Sequence, residues 1–142
     1  MTAGNRRKAR PLTALAMLAL PLPAAAQDVA NLSIELNAAQ QQEQGCKLSF
    51  VLTNGHPDDI SKAVFETVIF DAQGQVSRLT LFDFGTLPAG RPRVRQFVVP
   101  GTACEAIGRV LFNGADTCES TVSGACTKGL TLSSRTDIEV TG

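Results

Sequence analysis

The sequence predicts an all-β protein in which about seven short strands form an antiparallel sandwich of two packed sheets. Two observations carry that expectation. Apolar and polar residues alternate with period two along several short runs, and clusters of Gly, Pro, Asn and Asp separate those runs at intervals of about ten residues. Beyond residue 27 no stretch holds a helical period.

Residues 1–26 read as a leader, ahead of a single domain over residues 27–142. Arg6, Arg7, Lys8 and Arg10 make a basic start, residues 12–20 an apolar run, and Ala24-Ala25-Ala26 a small-residue cleavage site before Gln27. The apolar run is shorter than the roughly 20 residues of a spanning helix. No second such run follows, so no membrane span is expected in the mature chain. After Arg6-Arg7 come Lys8, Ala9, Arg10 and Pro11 instead of apolar residues, which favours general secretory export over the twin-arginine route.

Cleavage would change the charge balance. The whole chain carries 13 basic and 13 acidic residues, and four of the basic ones lie in the leader, leaving nine against 13, about −4. A mildly acidic domain has no long-range attraction for nucleic acid.

The elements follow in order. Leu32, Ile34 and Leu36 alternate with Ser33, Glu35 and Asn37, the first strand. A polar stretch over residues 40–44 ends at Gly45. Cys46, Leu48, Phe50 and Leu52 then alternate with Lys47, Ser49 and Thr53, the cleanest strand in the chain. Residues 54–59 are dense in turn formers. Residues 60–65 could make one helical turn, and residues 64–71 are apolar on both faces, as in a covered central strand. After Ala72-Gln73-Gly74, residues 75–84 form a strand with Leu79 and Leu81 on one face and Thr80, Phe82 and Phe84 on the other. Leu87-Pro88-Ala89-Gly90 breaks it.

Residues 94–99 pose a parity conflict: Val94 and Val98 share one face, while Arg95, Phe97 and Val99 share the other. A bulge near Arg95-Gln96, close to a sheet edge, would reconcile them. Residues 107–112 precede the turn pair Asn113-Gly114, and residues 130–140 form the last strand, interrupted near Ser134. This pattern corresponds to a sandwich of immunoglobulin-like type.

The four cysteines allow three pairings. Cys46 opens the second strand and Cys104 lies just before the sixth; in such a sandwich these strands run the same way and start at the same end. Cys104 and Cys118 bracket the strand over residues 107–112 and should stand some 15–20 Å apart, beyond disulfide reach. Cys118 and Cys126 share a loop rich in Gly, Ser and Thr. The expected bridges are Cys46–Cys104 and Cys118–Cys126. Neither the four-ligand spacing of a zinc site nor a Cys-x-x-Cys redox pair is present, and no cofactor or metal is expected.

Other chemistry-bearing residues read as surface features. His56, between Gly55 and Pro57, reads as an exposed turn histidine with no nucleophile beside it. Asp58-Asp59 lacks the alternating oxygen ligands of a calcium loop. Phe82-Asp83-Phe84-Gly85 has the letters of the kinase magnesium motif without its glycine-rich loop or lysine strand. Glu66 and Asp83 could form an acid pair, but a glycosidase would add a stacking platform, and the chain has no Trp or Tyr.

Two features remain as possible partner contacts. Arg91, Arg93 and Arg95 alternate, so their guanidinium groups share one strand face, as a solvated edge or as a contact for an acidic partner. If Leu79 and Leu81 face the core, Phe82 and Phe84 face outward as an apolar docking patch; the alternative is a strand covered on both sides, or one whose parity shifts at Thr80.

Residues 48–54 (Leu-Ser-Phe-Val-Leu-Thr-Asn), the apolar strand that follows, Leu87-Pro88-Ala89-Gly90 and Phe97-Val98-Val99-Pro100 together resemble the immunoglobulin-like modules of bacterial envelope proteins. With the leader and Leu132-Ser133-Ser134-Arg135-Thr136, the chain resembles uncharacterised small periplasmic proteins of Gram-negative bacteria, many of them recognised only by a twin-arginine leader. The resemblance implies a periplasmic location and brings no site residues with it. The expected function is non-enzymatic: docking of an envelope protein through sheet faces or edges. A small-ligand or ion carrier is the alternative, and an envelope hydrolase ranks third for want of a convergent His, Ser or carboxylate set.

Overall fold

The computed structural model describes residues 1–4, 22–24 and 29–142. The expected leader's basic and apolar segments and its cleavage position lie outside the described residues.

Among the described residues eight strands form, one more than expected: β1 (Leu32–Gln42), β2 (Gly45–Asn54), β3 (Ile60–Asp71), β4 (Val76–Leu87), β5 (Pro92–Pro100), β6 (Ile107–Ser120), β7 (Thr131–Ser134) and β8 (Glu139–Thr141), with a short 3-10 turn over Cys104–Ala106. They make two four-stranded sheets, ordered β5-β2-β1-β7 and β4-β3-β6-β8, packed as a sandwich. The extra strand comes from the C-terminal segment, which divides between the layers. β7 joins β1 and β8 joins β6, both in parallel. The remaining pairings are antiparallel.

Period-two alternation places Leu32, Ile34 and Leu36 of β1 and Cys46, Leu48, Phe50 and Leu52 of β2 in the interior, all fully buried. Phe50 lies at the centre, its ring 5.7 Å from those of Phe82 and Phe84, 6.2 Å from Phe97 and 6.0 Å from Phe112. Phe65 joins through Phe84 and Phe112. These aromatic contacts link both sheets, and their tilted and edge-on arrangements add to the burial term.

Three local expectations are corrected. Residues 60–65 are strand, with no helical turn. Asn113-Gly114 is not a turn: β6 runs on to Ser120, and the register shift between Glu66 and Thr67 leaves Asn113 as a bulged residue. β5 pairs with β2 in unbroken register from Pro92 to Pro100, so no bulge occurs at Arg95-Gln96. The parity conflict resolves differently. Phe97 and Val99 face the core, while Val94 and Val98 lie on the outer face at the sheet edge, 58% and 42% exposed.

Both expected disulfides form: Cys46–Cys104, 58 residues apart, and Cys118–Cys126, eight apart. Cys118 sits on β6 and ties that strand to the following loop. At the opposite end, Gln41 carries the Cys104 amide on its side-chain oxygen at 2.8 Å. Gly45 is required beside this bridge, because a Cβ there would stand 2.1 Å from the Val99 carbonyl oxygen.

Asn54 ties the loops at the end of β2. Its Nδ2 donates to the carbonyls of Asp58 and Leu87, both at 2.9 Å, and its Oδ1 accepts the His56 amide. His56 is buried, correcting the expectation of an exposed ring; its Nε2 lies 2.8 Å from the Ala125 carbonyl. The ring thus pins the disulfide loop to the 54–59 turn. Asn54→Ala strands these buried groups and should lower unfolding free energy by about 2 kcal/mol, read from the urea midpoint at unchanged m-value.

The crossing from β7 to β8 is held to β1 by the Arg135 amide on the Leu36 carbonyl and by Arg135 Nε on Glu35, 2.8 Å away. Asn37 first, and Arg135 second, hold the Glu35 carboxyl below the usual carboxylate range by hydrogen bonding to its charged form. A depressed folded-state pKa gives stability that is present above the unfolded pKa and lost as pH falls through the folded one. Glu35→Gln should therefore flatten acid-side stability loss slightly, measured as melting temperature against pH below 5.

Candidate functional site

β4 is an edge strand, and its parity decides which surface the protein offers. Phe82 and Phe84 point inward, 3% and 0% exposed, while Leu79 and Leu81 point outward, 61% and 53% exposed. The expected Phe82/Phe84 docking patch is thereby overturned. Phe82 stacks on Phe97 at 4.3 Å, and Phe84 meets Phe97 edge-on at 5.2 Å. Two rings that complete an aromatic core outweigh two leucines of similar hydrophobicity but poorer fit. The leucines, whose place in the core was the condition for that patch, are the exposed set.

The outer face of this sheet follows from the register. Leu79 lies opposite Val68, Leu81 opposite Glu66, Asp83 opposite Val64, and Val76 opposite Phe70. On the other side of β3, Val68 faces Leu111 and Phe70 faces Arg109, whose guanidinium sits 4.2 Å over the Phe70 ring. Val64 and Val68 are buried yet stand apart from the central core cluster, so they belong to a second apolar layer on this outer face. Val76, Leu79 and Leu81 are its uncovered margin. A hollow of about 140 Å³ opens among Glu66, Leu79, Thr80 and Leu81.

Glu66 and Asp83 are diagonal neighbours beside Leu81. Glu66 accepts the Asn113 amide, and Asp83 accepts the Gly85 amide at 2.9 Å. Among the described residues neither carboxylate pairs with a basic side chain; the ion pair found there is Arg135–Glu35.

The arginine set is not a single surface. Arg95 lies on the inward parity of β5 at the open side of the sandwich, and reaches across to the β4 carbonyls of Phe84 and Thr86, at 2.8 and 3.1 Å. Arg78 makes the reverse crossing, from β4 to the Pro100 carbonyl at 3.1 Å. Arg93 bonds the adjacent Pro92 carbonyl, and Arg91 is exposed. Arg95 thus closes the gap between two edge strands, with its stem over the core margin and its head on the main chain.

Depressions elsewhere are surface hollows. One of about 530 Å³ is lined by Pro57, Asp58, Asp59, Ser61, Ser120 and Thr121. Another of about 630 Å³ near Cys104 includes Glu105, Ile107, Arg135 and Asp137. Asp58 takes the Thr121 hydroxyl and Asp59 the Ala89 amide, so both carboxylates brace loops. Among the described residues, no cluster of three or more His, Cys, Asp or Glu side chains could hold a metal ion, and no helix is long and apolar enough to cross a membrane.

No family model, curated protein or solved structure matches the chain.

Proposed function

We propose that this is an exported, periplasmic, non-enzymatic binding module that docks an envelope protein on the outer face of the β4-β3-β6-β8 sheet. One observation carries the reading: Val76, Leu79 and Leu81 form an exposed aliphatic margin continuous with Val64 and Val68. The disulfides fit an oxidising compartment. The resemblance to envelope modules supports the same location, and Arg91 and Arg93 are the flanking contacts in this reading. A docking role needs a rigid platform and asks for no convergent acid, base or nucleophile.

Site-specific photocrosslinking tests this. A photoreactive residue at position 79 should yield a discrete adduct with one envelope protein, whereas the same residue at position 133 on β7 should not. Absence of any adduct from position 79, with a defined small molecule retained in native mass spectra, would instead support a carrier.

A further inference from the structure

Val68 and Leu79 share an outer face on which no further sheet packs among the described residues, yet Val68 is 7% exposed and Leu79 is 61% exposed. The difference is lateral. Val68 has Leu79 on one side and Leu111 on the other, whereas among the described residues Leu79 has a strand neighbour only toward β3. What Leu79 and Leu81 lack is one more strand.

The main chain of β4 is guarded unevenly. Arg95 occupies the carbonyls of Phe84 and Thr86, capping the C-terminal part of the edge. Among the described residues no side chain from the opposite sheet caps residues 76–83, the stretch that carries the exposed aliphatics; the Thr80 carbonyl accepts the Thr67 hydroxyl from within the sheet. The neighbouring edge β5 also shows Val94 and Val98, but Pro92 and Pro100 bracket it and supply no N–H. The carboxylates of Glu66 and Asp83 flank Leu81 without a basic partner among the described residues.

Resting on the docking reading above, we infer that the partner of this site is an extended segment that adds to β4 as a fifth strand. It places aliphatic side chains beside Leu79 and Leu81 and a lysine or arginine, on the same face, against Asp83 and Glu66. Main-chain pairing would hold the segment and the aliphatic-then-basic order would select it.

The test uses the oxidised protein and two capped seven-residue peptides. In one, the residues of one strand face read Val, Val, Lys with threonines between; in the other, Glu replaces Lys. Amide shifts on adding the lysine peptide should concentrate on residues 76–83 and their β3 neighbours. The glutamate peptide should bind at least tenfold more weakly, and Asp83→Asn should remove most of that difference. Leu81→Lys should abolish binding while leaving the melting temperature nearly unchanged. Equal binding of both peptides, shifts centred elsewhere, or no binding would overturn the inference. So would a concentration-dependent dimer dissolved by Leu81→Lys, which would assign the edge to a second copy. A position-79 crosslink to an envelope protein alongside peptide failure would leave the docking reading standing and reject strand addition alone.

Discussion

Phe50→Ala should destabilise the protein by about 4 kcal/mol, the upper range for a fully buried aromatic truncation. Phe50 is 0% exposed and touches rings from three other strands: Phe82 and Phe84 on β4, Phe97 on β5 and Phe112 on β6. Removing it loses the transfer energy of the ring and leaves a cavity that cannot collapse, because its walls are fixed by two different sheets. Urea unfolding followed by far-UV circular dichroism would read the change in midpoint. Phe70→Ala is the natural comparison. That ring is half-buried on the outer face beneath Arg109, so its loss should cost well under half as much. Equal effects would mean that the aromatic cluster does not organise the core.

The second large effect belongs to the longer disulfide. Replacing Cys46 and Cys104 by alanine should cost about 4 kcal/mol by the chain-entropy relation for a loop of 58 residues. Replacing Cys118 and Cys126, eight residues apart, should cost about 2.5 kcal/mol. The longer bridge does more because it restricts far more of the unfolded chain, joining the start of β2 to the approach to β6. Paired urea titrations of the two double variants would check the order. A larger loss from the short bridge would show that local loop strain, and not loop closure, governs these bonds.

These two features were also the most legible in the sequence. The run Cys46 to Leu52 keeps its apolar residues in phase at Cys46, Leu48, Phe50 and Leu52, with Val51 the one apolar residue on the other parity, because β2 turns one face to the core, so periodicity fixes its register. The cysteine pairing followed from where strands begin. Edge strands were harder for the same physical reason. β4 carries leucines and phenylalanines on opposite faces, and alternation alone cannot say which set the core takes. The aromatic residue at position 97 on β5 was the available signal, since it shares the core with Phe82 and Phe84, stacking on the first and meeting the second edge-on.

Arg95 misled in a related way. Charged residues on one strand face suggest solvent, yet a guanidinium at an edge can sit on the inward parity and reach the opposite sheet's carbonyls. His56 was misjudged because turn composition reveals nothing about the disulfide loop that folds over it. Asn113-Gly114 has the composition of a tight turn, but pairing with β3 carries β6 straight through it. The candidate docking surface was thus legible as an apolar feature of residues 79–84, while which face it occupied stayed open between two parities.

Solvent paramagnetic relaxation, measured on methyl and ring protons with an inert gadolinium chelate, tests that face most directly. Strong attenuation of Leu79 and Leu81 methyls with protected Phe82 and Phe84 rings is the expected result. Attenuated phenylalanine rings beside protected leucine methyls would invert β4 and remove the docking surface altogether.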